Sequence, residues 1–220
     1  MQILSLYAAE TYELRIKGAI VKINGNSTLT ISGSVTEINN SDSGILKIDE
    51  NGTLVAEGDI NNISSASIQI DGFLFAESDW TNDATASLSH AGAGIGTVEF
   101  SGSANQNIGG SANTVFENFV INNVAGITLT SNQTISENLI FSDGIISTGA
   151  NRLDVTAVND GMSGYDDGKY VLGNFRRYLN TGIDYHLPIG TAANFELAEI
   201  YIESQNGLNY IDVSFSISNQ

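Results

Sequence analysis

A four-residue phrase occurs three times in the first third of the chain, and it constrains the fold more than any other feature. It reads Asn26-Ser27-Thr28-Leu29, then Asn51-Gly52-Thr53-Leu54, then Asp71-Gly72-Phe73-Leu74. The repeat length is 25 residues and then 20 residues. A period in this range is typical of a solenoid, in which each coil buries its apolar face against the next coil. The repeat therefore predicts stacked short β-strands.

Equivalent positions of the repeat predict which side chains point into the coil. The predicted inward sets are Leu29, Leu54 and Leu74, then Ile31, Ala56 and Ala76, and after a corner Val35, Ile60 and Trp80. We expect the extra segment of the longer first coil, residues 40–43, to bulge as a loop. The alternative is an antiparallel sandwich that uses the Asn-Gly and Asp-Gly pairs as hairpin turns. The recurrence of equivalent residues in register favours the parallel β-helix.

The repeat rhythm stops between Asn159 and Gly168. Beyond this segment aromatic residues become more frequent, and the only proline, Pro188, lies there. We therefore predict an all-β chain, with a parallel β-helix (β-solenoid) over residues 1–157 and a small antiparallel strand-rich cap or sandwich over residues 158–220. A cap is expected because the open end of a solenoid is an aggregation-prone edge.

Composition excludes several classes of function. The chain has 8 Lys plus Arg against 25 Asp plus Glu, a formal net charge of -17, and no basic residue between Lys47 and Arg152. Such a surface repels the phosphates of nucleic acids and of anionic membranes. No run of 18 apolar residues occurs, so membrane insertion is not expected. Cysteine is absent, which excludes disulfides, thiol nucleophiles and thiolate metal sites.

Two acidic pairs occupy equivalent positions of the repeat, Glu57 with Asp59 and Glu77 with Asp79. On stacked strands such pairs form a ladder in which like charges about 4.8 Å apart repel one another unless a cation lies between them. Ca²⁺ prefers oxygen ligands of this kind. The alternatives are a solvated acidic edge or a pair of catalytic carboxylates. The lack of Lys or Arg nearby disfavours polysaccharide-lyase chemistry.

A second acidic segment lies in the loop where the repeat stops. Asp160, Asp166 and Asp167 are the candidate Ca²⁺ ligands there, although the segment lacks the EF-hand order. The alternative is a simple solvated linker. The two histidines, His90 and His186, are far apart and form no recognised metal-binding motif. No catalytic residue and no cofactor other than Ca²⁺ is predicted.

Two aromatic residues flank a predicted inward leucine. Because successive side chains of a strand point to opposite faces, an inward Leu74 places the rings of Phe73 and Phe75 on the outside. Adjacent exposed aromatic residues indicate a contact surface. Neighbouring chains, in a homo-oligomer or filament, and surface glycans are the partners that such a surface would suit.

A second set of short sequence phrases lies in the second half of the chain. They are Val98-Glu99-Phe100-Ser101-Gly102, Phe119-Val120-Ile121-Asn122-Asn123, Gly126-Ile127-Thr128-Leu129 and, later, Tyr185-His186-Leu187-Pro188-Ile189-Gly190. This part of the chain resembles the strand repeats of large secreted surface proteins of the Bacteroidota type, including adhesin-like proteins exported through the type IX route. The resemblance implies a stalk or adhesive surface outside the cell or on its surface, without catalytic activity.

The sequence thus leads to one main expectation and two alternatives. The main expectation is a non-enzymatic structural or adhesive β-solenoid that acts by display, spacing or self-assembly. The first alternative is a carbohydrate-binding or polysaccharide-cleaving β-helix centred on Asp59, Glu77 and Asp79. The second is a Ca²⁺-dependent adhesion module.

Overall fold

The computed structural model describes residues 2–6, 13–33, 37–83, 85–90, 92 and 94–215, with side chains from residue 13 onward. Within these residues the chain forms strands and turns but no helix. It follows that this part of the chain contains no helix able to span a bilayer.

The strands are short and evenly distributed. The first eight are β1 (Gln2–Leu6), β2 (Glu13–Lys17), β3 (Ile20–Ile23), β4 (Ser27–Ile31), β5 (Glu37–Ser41), β6 (Ile45–Ile48), β7 (Thr53–Ala56) and β8 (Ile60–Asn62). The next eight are β9 (Ser67–Ile70), β10 (Phe73–Ala76), β11 (Trp80–Asn82), β12 (Ser87–Ser89), β13 (Thr97–Phe100), β14 (Gln106–Gly109), β15 (Thr114–Asn122) and β16 (Ile127–Leu129). The last seven are β17 (Gln133–Asp143), β18 (Ile146–Val155), β19 (Met162–Ser163), β20 (Val171–Tyr178), β21 (Asp184–Gly190), β22 (Phe195–Tyr201) and β23 (Tyr210–Val213).

The strands stack in parallel as a β-solenoid of about eight turns, which confirms the predicted fold class. Each turn passes through three faces in the same order. Face 1 holds β1, β4, β7, β10, β13, the second halves of β15 and β17, and β19. Face 2 holds β2, β5, β8, β11, β14, β16 and the beginnings of β18 and β20. Face 3 holds β3, β6, β9 and β12, and then the first halves of β15 and β17 and the second halves of β18 and β20.

The repeated phrase forms the turn from face 3 to face 1. Asn26 and Asn51 adopt the left-handed conformation there, with φ of 58° and 60°, which asparagine tolerates better than most residues. In the third phrase a Cβ atom on Gly72 would lie 2.3 Å from the carbonyl oxygen of Gly52. Only glycine therefore allows these two coils to approach so closely.

The inward side chains stack in register along the axis. Leu29, Leu54 and Leu74 are aligned, as predicted, and so are Ile31, Ala56 and Ala76. In the middle coils Trp80, Phe100, Phe116 and Phe119 form one aromatic cluster, with centroid distances from 4.9 to 6.4 Å between contacting rings. Each large apolar side chain buried in this way contributes roughly 1.5–3 kcal/mol to folding. The stacked core, rather than any single coil, therefore holds the strands together.

The first coil differs from the prediction. Ile38, not Val35, pairs with Ile60, and Trp80 follows in the next coil; Val35 itself lies outside the described residues. Asn40 is not part of a bulging loop, because it lies in β5 and is fully buried. Three of the five extra residues of this coil precede β5, because seven positions separate Ile31 from Ile38 whereas four separate Ala56 from Ile60. The other two precede Leu54, because six positions separate it from Ile48 whereas four separate Leu74 from Ile70. The expected loop was therefore assigned to the wrong corner.

Parallel pairing crosses residue 157. β17 pairs with β19, β18 with β20, and β20 with the end of β21, all in parallel. Among the described strands, β21 with β22 and β20 with β23 pair antiparallel, and one isolated antiparallel bridge joins Asp166 to Lys169. Inward residues such as Phe175 and Tyr185 stay fully buried, so the core continues after the repeat rhythm has stopped. The antiparallel strands occur near the end of the chain as predicted, but the solenoid itself extends beyond 157. The division into two domains stays a prediction.

Candidate functional site

The outward side of face 1 presents two ladders of side chains, which we call the contact face. One ladder runs through Thr53, Phe73, Thr97, Asn118 and Asn138, and the other through Val55, Phe75, Glu99, Val120 and Ile140. Each neighbour is one strand away, about 4.8 Å. The contact face is therefore a regular surface that spans five coils.

The two phenylalanines have the predicted orientation. Leu74 is buried, whereas Phe73 is 45% exposed and Phe75 is half-buried between its neighbours on the same ladder. Their role in contacts stays a prediction. Val55 and Glu99 flank Phe75, so the apolar ladder is interrupted by one carboxylate. An extended apolar strip with few polar groups is typical of a binding surface.

Polar side chains of the contact face are bound to one another. The Asn138 amide donates to Asn118 at 2.7 Å, and the Asn118 amide donates to Thr97 at 3.3 Å. The Asn122 amide donates to the Glu99 carboxylate at 2.8 Å. These bonds fix the side chains before any partner arrives, which lowers the entropic cost of binding.

Asp59 and Asp79 of the predicted acidic ladder bind the next coil. The Asp59 carboxylate accepts hydrogen bonds from the Ser78 hydroxyl and from the Asp79 backbone N–H, the latter at 3.1 Å. The Asp79 carboxylate accepts bonds from the backbone and side-chain N–H groups of Asn107, at 2.7 and 3.0 Å. Both aspartates therefore link adjacent coils, a role that needs no cation.

Glu57 and Glu77 are exposed at the same corner. Glu57 accepts a hydrogen bond from the backbone N–H of Gly33 at 3.0 Å. Partial burial, and then repulsion from the Glu57 carboxylate, raise the pKa of Glu77 above its ordinary value. The two glutamates thus repel each other across neighbouring coils.

The three loop aspartates do not converge. Asp160 accepts bonds from the backbone N–H and Nδ1 of His186, both at 2.8 Å. Asp166 pairs with Lys169 at 2.9 Å and accepts the Gly168 N–H, while Asp167 is exposed to solvent. Over the described residues, no group of three or more histidine, aspartate or glutamate side chains is placed to hold a metal ion. A Ca²⁺ site at either acidic segment stays a prediction.

Sequence reasoning missed a ladder of buried asparagines. The Asn40 amide donates to Asn62 at 2.9 Å, and the Asn62 amide donates to Asn82 at 2.8 Å. The same two amide groups also donate to the carbonyl oxygens of Ser67 and Ser87. The recurrence of asparagine at intervals of 22 and 20 residues was the signal that could have revealed this ladder.

Arg177 was also missed. It is fully buried, and its guanidinium donates to the carbonyl oxygens of Val155, Ala157, Asn159 and Asp160. It also lies over the Tyr185 ring at 4.6 Å. Burial lowers the pKa of Arg177 to about 10. This side chain satisfies the carbonyls of the segment where the repeat rhythm stops, which explains how the core continues there.

Comparisons with known proteins leave the ancestry of the chain open. It matches no protein-family model, no curated protein and no solved structure. The resemblance to secreted Bacteroidota surface proteins therefore stays a prediction, and what is established is a parallel β-solenoid with antiparallel strands near its end.

Proposed function

We propose that this chain is a non-enzymatic module of an extracellular or cell-surface protein, which acts as a rigid spacer and presents the contact face to neighbouring chains. The observation that carries the proposal is the outward ladder with apolar side chains at Val55, Phe75, Val120 and Ile140, interrupted by Glu99, with Phe73 beside it. A flat, pre-ordered surface of this kind suits lateral contact between elongated molecules better than it suits the enclosure of a substrate.

The hydrogen bonds of the acidic ladder support a structural role. Asp59 and Asp79 each accept bonds from the next coil, so replacing either would disturb the stack. A polysaccharide-cleaving site at this corner would instead need two carboxylates free to act on a substrate. The alternative is tested directly: cleavage of any polysaccharide in a representative panel, lost in Glu77→Gln, would overturn the proposal of a non-enzymatic module.

The contact role is tested by sedimentation velocity over a range of protein concentrations. In the double variant both phenylalanines are replaced by threonine, which is the natural residue at the equivalent positions Thr53 and Thr30. The matched control is Val124→Thr, since Val124 is 79% exposed but lies outside the contact face. We expect wild type and control to associate as concentration rises and the double variant to stay monomeric.

Two results would count against the contact role. If wild type stays monomeric at every concentration, the contact face does not bind copies of this chain. If all three proteins associate equally, association occurs through another surface. Circular dichroism of the double variant shows whether its β-fold is retained.

A further inference from the structure

The face 3 ladder is interrupted between the fourth and fifth coils. β12 pairs with β9, and residues 114–116 of β15 pair with β17, but within the described residues β12 and β15 do not pair with each other. The connection from β12 to β13 is the glycine- and alanine-rich segment that follows Ser89. A cleft of about 250 Å³ opens at this interruption.

Apolar side chains form the floor and one side of the cleft, and Ser89, Glu117 and Ser136 also line it. Ile70 and Val98 form its buried floor, each 3% exposed, and Leu88 is half-buried beside them. Val115 forms one side and is 46% exposed. A volume of this size is below the range of pockets that take drug-sized ligands, so the cleft admits one small ring.

The imidazole of His90 lines the cleft and is oriented by a hydrogen bond to Glu117. The Nδ1 of His90 is 2.6 Å from Oε1 of Glu117, while Oε2 of Glu117 accepts the backbone N–H of Gly96 at 2.6 Å. Because the carboxylate can only accept, Nδ1 carries the proton of the neutral ring and Nε2 offers a lone pair. Within the described residues, Nε2 of His90 has no hydrogen-bond partner.

The partner that suits Nε2 is a hydroxyl group. A hydroxyl can donate to Nε2 of the neutral ring and can accept from it when the ring is protonated. Each oxygen of Glu117 already accepts one hydrogen bond, so a cation would have to compete with His90 and the Gly96 N–H for this carboxylate. An anionic ligand is disfavoured by the formal net charge of -17.

We propose that this cleft binds one neutral saccharide ring. The C–H face of the ring packs against Leu88, Val98 and Val115, and one hydroxyl donates to Nε2 of His90. The cleft shares no lining residue with the contact face, and binding there does not depend on self-association, so each proposal can fail without the other.

The test is ligand-detected saturation-transfer NMR on the wild-type protein with glucose, galactose and N-acetylglucosamine, and with benzene as an apolar ring that has no hydrogen-bonding group. We expect saturation of the ring protons of at least one sugar. His90→Ala and Val115→Lys should each weaken that binding about tenfold, because each removes one of the few contacts available to a small ligand. Val124→Lys, a lysine at another exposed valine, should leave binding unchanged.

Three outcomes would overturn the proposal. The first is no transfer to any of the three sugars. The second is sugar binding that is unchanged in both His90→Ala and Val115→Lys, which would locate the sugar elsewhere. The third is binding of benzene alone, which would make the cleft an apolar site without hydroxyl recognition. Both residues are well exposed, so the variants are expected to fold, and sedimentation velocity should not distinguish them from wild type.

Discussion

At the scale of single residues, the buried amides define where the coils meet. Asn40, Asn62 and Asn82 are inside the solenoid, and each hydrogen bond between their side-chain amides joins two successive coils. The ladder ends at Asn40 because the preceding coil has Ile16 at that register, and Oδ1 of Asn40 is left without a partner. A buried amide is tolerated here because its other polar atoms are satisfied along the axis.

Replacement of Asn62 by leucine tests this ladder. The variant keeps a similar volume but removes the donor to Asn82 and to the Ser87 carbonyl. We expect a loss of about 2 kcal/mol or more in the free energy of unfolding, because buried polar atoms lose their partners. Urea denaturation measures it. The control is Asn61→Leu on the outer side of the same strand, and an equal loss in both variants would contradict a special role for the buried ladder.

Arg177 and its neighbour Arg176 form a natural pair for a second prediction. Arg177→Met leaves several buried carbonyls without a donor, and we expect it to cost about 3–5 kcal/mol. Arg176→Met removes an ion pair with the exposed Asp212 and a contact with the Tyr210 ring, and should cost about 1 kcal/mol or less. The urea concentrations at the unfolding midpoints of both variants measure the two losses of stability. Equal midpoints would show that the buried guanidinium does not hold the segment around Asp160.

The two arginines also show how far residue-level prediction could go. The inward positions of Leu74 and Trp80 followed from the repeat and are confirmed. Alternation from Phe175 places Arg177 inside, although a charged residue is seldom fully buried unless it is paired. The sequence does not show which carbonyl groups accept hydrogen bonds from Arg177, since these belong to residues about 20 positions earlier in the chain.

At the scale of elements, the acidic corner between faces 1 and 2 recurs in two neighbouring coils, as Glu57 with Asp59 and as Glu77 with Asp79. The raised pKa of Glu77 means that the folded chain binds a proton there more readily than the unfolded chain does. Its contribution to stability is most favourable below the ordinary pKa of 4.5 and is lost as the pH rises through the raised value. At neutral pH the Glu57–Glu77 pair is therefore slightly unfavourable.

Glu77→Gln should accordingly stabilise the protein at neutral pH. We expect a gain well below about 1 kcal/mol, because solvent screens exposed charges. The gain should vanish below the ordinary pKa of Glu77, where wild type is protonated. Thermal unfolding at neutral pH and at a pH below the ordinary pKa of 4.5 measures this gain in stability. Glu50→Gln is the exposed control. If Ca²⁺ raises the Tm of wild type but not of Glu77→Gln, this corner is a cation site and the repulsion argument is wrong.

Strand register was the most predictable property of the elements, and corners were the least. The alignment of Leu29, Leu54 and Leu74 follows from the spacing of the phrase because stacked coils repeat their inward residues. The extra residues before Ile38 could not be assigned, since a loop at either corner lengthens the coil equally. The cleft beside His90 was equally hidden, because it depends on two strands failing to pair across a glycine-rich connection.

At the scale of the whole molecule, the net charge opposes association between copies of the chain, whereas the contact face favours it. The core is continuous from the first coils to the end of β21, and the contact face follows it over five coils. The formal net charge of -17 belongs to the chain as a whole and repels a second copy. Any lateral association of this chain must therefore overcome a long-range repulsion before apolar contacts form.

This opposition predicts that association strengthens with salt. Screening shortens the range of the repulsion from about 30 Å at roughly 0.01 M salt to about 3 Å at roughly 1 M, while the apolar contacts of Phe73 and Phe75 are not weakened. Sedimentation equilibrium across this range of NaCl should show a dissociation constant that falls steadily. The double threonine variant should stay monomeric throughout, because screening removes repulsion but supplies no contact. Association that weakens with salt would instead mean that ion pairs hold the copies together, and the contact face would no longer be the surface that joins them.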